Sequence, residues 1–184
     1  MDMDNIVKQA MAKWPGVPHC YGWLGLDARG DWYLRDDRAQ AAGAFASGAL
    51  AAKGSRLEHA GLIGFIARNY GCDGQGQWYF QNGPQRVYVE LQATPWIWRV
   101  AADGGIAAHT GQPAALRQVY SDEQGRVYLQ TSGGFGLVHT QDVLAVADAL
   151  EQGRWPAAQP LRADELPERF GYVPSPQARQ AGRG

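Results

Sequence analysis

The stretch "CDGQGQWYFQNGPQRVYVEL", residues 72–91, contains two turn signals, and each leads into a strand-like run. Asp73 and Gly76 form the first turn signal, and the aromatic run that follows has the composition of a β-strand. The dipeptide Asn82-Gly83 is the strongest short signal for a two-residue β-hairpin turn. The stretch therefore predicts two antiparallel strands joined by a tight hairpin, and it places a sheet at the centre of the fold.

The pattern of Asp, two residues, Gly and a strand recurs in "LDARGDWYL" at 26–34 and in "SDEQGRVYL" at 121–129. Asp at the first position of a turn accepts hydrogen bonds from backbone N–H groups ahead of it, and Gly supplies the positive φ that closes the turn. The alternative is that Asp27, Asp73 and Asp122 bind metal ions. A calcium loop needs several oxygen ligands within about a dozen residues. Each of these turns offers only one or two, so we expect turn chemistry and no metal site.

A helix signal lies between the first two strand regions. Ser55 and Glu58 have the spacing of a capping box, and Gly71 stands where a left-handed residue ends a helix. The residues between them, including "LIGFIA" at 62–67, are apolar around most of the helix circumference. Because such a helix packs on several sides, the sequence predicts a buried central helix.

Together these signals predict an α+β fold with two related lobes, mainly antiparallel sheets and hairpins. The predicted segments are an N-terminal helix at 1–17, a first α+β lobe at 18–110, a second α+β lobe at 111–175 and a disordered tail at 176–184. The Ala- and Gly-rich segment 36–54 is predicted to be a mobile connection with some short helix, and a lid is the alternative.

Two quoted stretches support a resemblance to known families. "HAGLIGFIARNYGCDGQGQWYFQNGPQRVYVELQATPWIWRV" at 59–100, with "CYGWLGLDARGDWYLRD" at 20–36, resembles an uncharacterised proteobacterial domain-of-unknown-function family. The order of hairpin, apolar helix and aromatic strand is also similar to a second uncharacterised bacterial family, which is built from repeated α+β motifs. The second resemblance implies a signalling or ligand-sensing role. Neither resemblance implies a catalytic residue.

The hairpin around Asn82-Gly83 concentrates polar side chains that could bind a ligand. The candidate ligand-binding residues are Asn82, Gln85, Arg86, Trp96 and Trp98. Two amides and a guanidinium lie near one turn, where Arg86 could clamp a carboxylate or phosphate and a Trp could form a wall. The alternative is structural: Asn82 is only a hairpin tip, the Trp residues are core, and Arg86 is a solvated strand residue or pairs with Glu90 on the outward face of the strand.

The sequence carries no recognisable catalytic or metal-binding motif. Cys20 and Cys72 make no disulfide framework, and His19 beside Cys20 lacks the other ligands of a zinc site. The histidines are scattered, and there is no G-x-S-x-G nucleophile elbow. A Cys–His pair brought together by the fold remains an open alternative. We therefore assign no catalytic residue, no metal and no cofactor.

Composition excludes several broad classes of function. The 184 residues are 45% hydrophobic and have a formal net charge of −1, without the clustered Lys and Arg of a nucleic-acid-binding surface. No segment has the run of about 20 apolar residues of a membrane span, so we expect a soluble, cytoplasmic protein. The expected function is binding or sensing of a small molecule or a protein. The alternatives are an enzyme with a pocket near Asn82, Gln85 and Arg86, and a structural interaction partner.

Overall fold

The computed structural model describes residues 3–183, which form two compact units. The first unit contains residues 3–27, 31–92 and 172–183, and the second unit contains residues 28–30 and 93–171. The predicted division between residues 110 and 111 differs from this one, because the strands that follow residue 93 join the sheet of the second unit.

The first unit is built on a six-stranded sheet. Its strands are β1 Cys20–Leu26, β2 Trp32–Leu34, β3 Ser55–Arg56, β4 Tyr70–Cys72, β5 Trp78–Asn82 and β6 Gln85–Leu91. Its helices are α1 Asn5–Lys13, α2 Asp37–Ala41, α3 Leu50–Lys53, α4 Ala60–Arg68 and, from the C-terminal segment, α7 Pro176–Ala181. A 3₁₀ turn at Phe45–Ser47 lies between α2 and α3.

The second unit is built on a seven-stranded sheet. Its strands are β7 Trp96–Val100, β8 Ile106–Ala108, β9 Pro113–Ala114, β10 Leu116–Ser121, β11 Val127–Thr131, β12 Gly134–Val138 and β13 Gln159–Pro160. Its helices are α5 Val143–Glu151 and α6 Leu166–Phe170, each preceded by a 3₁₀ turn, at Thr140–Asp142 and Ala163–Glu165.

The two sheets share one topology. The strand order is β3-β2-β1-β6-β5-β4 in the first unit and β9-β8-β7-β12-β11-β10 in the second, which adds β13 beside β10. In both units the first strand runs parallel to the sixth, as β1 does to β6 and β7 to β12. The other pairings are antiparallel, except that β13 is parallel to β10. The structure thus confirms the predicted α+β class with two related lobes and mainly antiparallel sheets.

The repeated Asp and Gly pattern forms the predicted turns. The glycine φ values are 85° at Gly30, 79° at Gly76 and 77° at Gly125. The acceptors are Asp27 Oδ1 for the Asp31 N–H, Asp73 Oδ1 for the Gln77 N–H and Asp122 Oδ1 for the Arg126 N–H, each at 2.9 Å. The carboxylates therefore hold their own turns, as the turn interpretation requires.

The prediction of a buried central helix is wrong. Ser55 belongs to β3 and does not cap a helix, because residues 55–56 pair with β2. The helix α4 begins later, at Ala60, and His59 Nδ1 accepts the Leu62 N–H at 3.1 Å. Only Ile66 is buried in α4. The helix covers one face of the sheet, where the rings of Phe65 and Phe80 meet at 5.5 Å, and its other side remains exposed or half-buried.

The prediction of a disordered tail at 176–184 is also wrong, since residues 176–181 form α7. Ser175 Oγ accepts the Ala178 N–H at 3.1 Å and donates to Glu90 Oε1 at 2.5 Å. The backbone continues this attachment, because Leu91 N–H donates to Pro174 O at 2.9 Å. A capped helix start and a buried carboxylate on β6 thus anchor the segment. Gly184 lies outside the described residues.

The Ala- and Gly-rich segment 36–54 is packed against the sheet and is not a loose connection. Ala39, Phe45 and Ala52 are buried. The guanidinium of the buried Arg35 donates to three backbone carbonyls, those of Gly22, Gly43 and Ala52, at 2.7–3.1 Å. The small residues of this segment allow the chain to wrap closely around that guanidinium.

The predicted N-terminal helix corresponds to α1, and residues 1 and 2 lie outside the described part of the chain. None of the helices within residues 3–183 is long and apolar enough to cross a membrane.

Candidate ligand-binding groove

The first unit contains an open groove between the end of α1 and the β5–β6 hairpin. Its volume is about 630 Å³, within the range of small-molecule sites. Most of the lining is apolar, with one imidazole, one amide and one guanidinium among it. The lining residues are Met11, Trp14, Pro15, Gly16, Val17, Pro18, His19, Gln81, Pro84 and Arg86.

The hairpin places two of the three polar groups of the groove, the amide and the guanidinium, side by side. Asn82 pairs with Gln85 around Gly83, which has a φ of 58°. This register sets Gln81 directly opposite Arg86. Residues opposite each other in an antiparallel pair project their side chains on the same face of the sheet. The amide and the guanidinium therefore face the groove from adjacent strands.

Arg86 is held by aromatic groups. Its guanidinium carbon lies 4.3 Å from the centre of the Tyr79 ring, and Tyr88 favours its charged form. The Tyr88 hydroxyl in turn donates to Asp73 Oδ2 at 3.2 Å. Burial acts to lower the pKa of Arg86, but its interactions with Tyr88, Tyr79 and Asp73 raise it above its ordinary value. The groove wall thus carries a permanent, half-buried cation.

The carboxylate expected to pair with Arg86 is engaged elsewhere. Glu90 lies four residues further along β6, where it accepts from Ser175 Oγ and from the Gln177 N–H. Burial raises the pKa of Glu90, although these hydrogen bonds and the charge of Arg35 oppose the shift. None of the ion pairs within residues 3–183 includes Arg86. The predicted outward pair of Arg86 with Glu90 is therefore wrong.

Aromatic rings pack beside Arg86 and at the rim of the groove. Tyr21 stacks on Tyr88 with ring centres 4.7 Å apart, and His19 meets Tyr88 edge-on at 5.6 Å. Trp14, at the rim, is 51% exposed, and the Lys13 ammonium lies 4.5 Å from the centre of its ring. The groove therefore combines flat apolar surfaces with positive charge and has no negative group among its lining residues.

Comparison with known proteins gives a family. The family model labelled DUF2944, described as "Protein of unknown function (DUF2946)", matches residues 3–177. The chain belongs to this family. None of the curated proteins matches the chain. The family description names no activity, so function has to be argued from the geometry of the site.

Two solved structures resemble this DUF2944 chain. One is a DUF1285 family protein from Shewanella baltica OS155, with 15% identity and a TM-score of 0.45, covering 68% of this chain and 91% of the other. The second is a DUF1285 family protein from Silicibacter pomeroyi DSS-3, with 11% identity and a TM-score of 0.48, covering 80% of this chain and 85% of the other.

The ligand-binding residues predicted from the sequence of this DUF2944 protein do not all line the groove. Arg86 lines it. Gln85 does not line the groove, but its Nε2 donates to the Pro18 carbonyl at 3.1 Å. This hydrogen bond stabilises the loop that forms one wall of the groove. Asn82 is exposed at the hairpin turn and is not a lining residue. Trp96 and Trp98 are buried side chains of β7 in the second unit, where their rings stack at 5.9 Å.

Of the ten lining residues, only Arg86 was among the sequence candidates, and three of the missed residues are instructive: Gln81, Trp14 and His19. Gln81 could have been found, because a two-residue turn at Asn82-Gly83 fixes the register that puts it opposite Arg86. Trp14 and His19 flank the run "PGVP" at 15–18, which ends α1. Trp14 and His19 approach the hairpin through tertiary contacts between distant parts of the chain, which no local sequence pattern predicts.

A second, smaller hollow lies in the second unit. It has a volume of about 420 Å³ and is lined by residues of β7, β8 and their connection, with Asp142. Its one cationic side chain, Arg99, forms an ion pair with Asp142 at 2.6 Å, and Asp142 also accepts the Val100 N–H at 3.0 Å. Because the cation of this hollow is already paired with a carboxylate, the groove of the first unit is the stronger candidate for an anion.

The thiols of this DUF2944 chain are poorly suited to nucleophilic attack. Burial raises the pKa of Cys20. Partial desolvation and the negative charge of Asp73 raise the pKa of Cys72 to about 11. A reactive cysteine needs a lowered pKa, because the thiolate is the nucleophile. Within residues 3–183, no group of three His, Cys, Asp or Glu side chains is arranged to hold a metal ion.

Proposed function

We propose that this protein is a binding module for a small anionic molecule and that the ligand binds in the groove of the first unit through Arg86. One observation carries the proposal. The Arg86 guanidinium is half-buried at the groove wall, stacked on Tyr79, and takes part in none of the ion pairs within residues 3–183. A buried or half-buried charge is usually paired, so a ligand anion is the natural partner.

The geometry around Arg86 suits recognition of a carboxylate or phosphate. A guanidinium stacked on an aromatic ring is fixed in orientation, and it keeps N–H donors along its edge. Those donors can form two parallel hydrogen bonds to an oxyanion. Tyr79 and Tyr88 preorganise the side chain, which reduces the entropy lost when the ligand binds.

The lining favours binding over the alternative of an enzyme near Asn82, Gln85 and Arg86. The ten lining residues, all within the described part of the chain, include no carboxylate, hydroxyl or thiol side chain. Covalent and acid–base catalysis need a nucleophile or a proton-transfer group beside the bound substrate. His19 alone could move a proton, and it has no partner of that kind in the lining.

The expected cellular setting is part of the proposal. We propose a cytoplasmic location, which is supported by the two free cysteines, Cys20 and Cys72. A net charge of −1 supports a small-molecule or protein partner over nucleic acid.

A thermal-shift experiment with matched compounds tests the proposal. The wild-type protein is heated with 3-phenylpropionate, with its neutral amide 3-phenylpropionamide, or with inorganic phosphate. A ligand that binds the native state raises the melting temperature in proportion to RT ln(1 + [L]/Kd). We expect an anion to raise the melting temperature in the wild type but not in Arg86→Met, while Arg38→Met responds as the wild type does.

Arg38 is the matched control because it is exposed on α2 of the same unit and is not a lining residue. If neither anion shifts the melting temperature, or if Arg86→Met responds as strongly as the wild type, the proposal of an anion site at Arg86 is wrong.

A further inference from the structure

Gln81 is a buried amide in the wall of the same groove. Its side chain is 1% exposed, and its Nε2 donates to the Gly83 carbonyl at 3.0 Å. Its Oε1 accepts no hydrogen bond from any residue within 3–183. Reversing the amide would set Oε1 against the Gly83 carbonyl oxygen, so the hydrogen bond to Gly83 fixes which atom is the acceptor.

A buried acceptor without a donor costs free energy comparable to a lost hydrogen bond. Native proteins retain few such atoms, and each calls for an explanation. Gln81 lies beside the groove and directly opposite Arg86. A ligand that supplies a hydrogen-bond donor to Oε1 would remove this cost, and the recovered free energy would add to the affinity.

We infer that the ligand carries an N–H donor next to its anionic group, together with an apolar side chain, as an apolar amino acid or its N-acyl derivative does. The inference rests on the proposed anion site. The three chemical groups of such a ligand match three features of the groove. Arg86 would bind the carboxylate, Gln81 Oε1 would accept the N–H, and the apolar surfaces of Trp14, Val17 and Met11 would contact the side chain. Cross-strand neighbours have Cβ atoms about 5 Å apart, which suits two groups attached to one carbon atom.

Access to the acceptor requires a small rearrangement. Oε1 is covered by protein, so a side chain near it has to change rotamer when the ligand donor approaches. Met11 is a long, unbranched side chain of the groove lining, and a methionine adapts its rotamer at low cost. The backbone, fixed by the hairpin, stays in place.

The experiment compares ligands that differ in one group. Isothermal titration calorimetry measures the Kd of N-acetyl-L-phenylalanine, of 3-phenylpropionate, which lacks the N–H, and of N-acetyl-L-phenylalaninamide, which lacks the carboxylate. In the wild type we expect N-acetyl-L-phenylalanine to bind about tenfold more tightly than 3-phenylpropionate, the value of one hydrogen bond. In Gln81→Met, which keeps the length of the side chain but removes the acceptor, we expect this difference to disappear.

The outcomes separate this inference from the proposed function. If both carboxylates bind with equal Kd in the wild type and both lose binding in Arg86→Met, the anion site stands and the N–H recognition is overturned. If the difference in Kd between the two carboxylates persists unchanged in Gln81→Met, another group accepts the N–H of the ligand, and the role given to Gln81 is overturned. If neither carboxylate binds, or if the neutral amide binds as tightly as N-acetyl-L-phenylalanine, both the inference and the anion site fail.

Discussion

The hydroxyl of Tyr88 lies 3.2 Å from Asp73 Oδ2 and connects the groove cation to one of the Asp-x-x-Gly turns. Tyr88 donates to Asp73 and also interacts electrostatically with Arg86. Asp73 also holds its own turn through the N–H groups of Gln75 and Gln77. A structural carboxylate is therefore linked through Tyr88 to the surroundings of the proposed binding group, and this link helps to orient Arg86, which takes part in none of the ion pairs within residues 3–183.

Replacing Tyr88 with Phe tests this connection. We expect Tyr88→Phe to lower the free energy of unfolding by about 1 kcal/mol, the net value of one hydrogen bond. Burial tends to raise the pKa of Asp73, but hydrogen bonds from Gln77, Gln75 and Tyr88 lower it below its ordinary value. Stability from such a group is present above its unfolded pKa of about 3.9 and is lost as the pH falls through the folded pKa. The effect of Tyr88→Phe should therefore be full at pH 7 and smaller at pH 3 in urea unfolding.

Tyr128→Phe is the matched variant for the other unit. Tyr128 donates to Asp122 Oδ2 at 2.9 Å, so its loss should cost a similar free energy. Only Tyr88→Phe should also weaken the thermal shift caused by an anion, because Arg86 is then less firmly held. Equal ligand responses in the two variants would show that Tyr88 does not orient Arg86.

Gly125 isolates the backbone contribution of the turns. Its φ is 77°, and a Cβ added there would meet no atom within 4 Å. Gly125→Ala should therefore lower the free energy of unfolding by about 1 kcal/mol through conformational strain alone, and Gly125→Val by about 1–2 kcal/mol or more. Gly74 also has open space around it but lacks a positive φ, so Gly74→Ala should be neutral or stabilising. Chemical denaturation of the three variants measures the difference, and equal costs at the two sites would contradict the strain model.

The turns were predictable because their chemistry is local. Asp73 and Gly76 fix the turn within five residues, whatever the rest of the chain does. The same backbone turn occurs at 101–105, where the Ala101 N–H donates to Gly105 O and Gly104 has a φ of 88°. The Asp pattern did not predict this turn, because Ala101 has no side chain that accepts a hydrogen bond. The pattern thus identified a common turn only where a carboxylate marks it.

Longer-range features were less predictable. The apolar composition around Ile66 indicated a helix but overstated its burial, because periodicity does not report how many neighbours cover a helix. Trp96 and Trp98 follow Arg86 closely in the sequence, yet they belong to the other unit. Residues close to Arg86 in the sequence therefore predicted only part of the site. The wall that includes Trp14 could be identified only from the folded structure.

Arg35 and Arg86 should respond very differently to the same substitution. Arg35 is 1% exposed and donates to three carbonyls. Arg35→Met would leave these buried acceptors without donors, each costing about 1–3 kcal/mol, so we expect a loss of at least about 3 kcal/mol. Arg86→Met removes mainly a cation–π contact at a half-buried site, and should cost about 1 kcal/mol. Urea unfolding measures both, with Arg38→Met as the exposed control. A large loss in Arg86→Met would indicate a structural role and would weaken the case for ligand binding.

Glu90 should give the protein a pH dependence of the opposite sign to that of Asp73. Burial raises its pKa above the unfolded value. The contribution of such a carboxyl to stability is fully present below the unfolded pKa of about 4.3 and is lost as the pH rises through the folded pKa. Relative to Glu90→Gln, which does not titrate, the wild type should therefore lose stability between about pH 4 and neutral pH.

Ser175→Ala provides the complementary variant for Glu90. Ser175 Oγ donates to the Glu90 carboxylate, so its removal should raise the pKa of Glu90 further and make the loss of stability extend to higher pH. It also removes the cap of α7, since Ser175 Oγ accepts the Ala178 N–H, and this should add about 1 kcal/mol of destabilisation at every pH. Free energies of unfolding in urea at pH 4, 5.5 and 7 for the wild type and the two variants separate these effects. A constant difference between wild type and Glu90→Gln across this range would show that Glu90 does not titrate there, and the C-terminal segment would then be held by packing and capping alone.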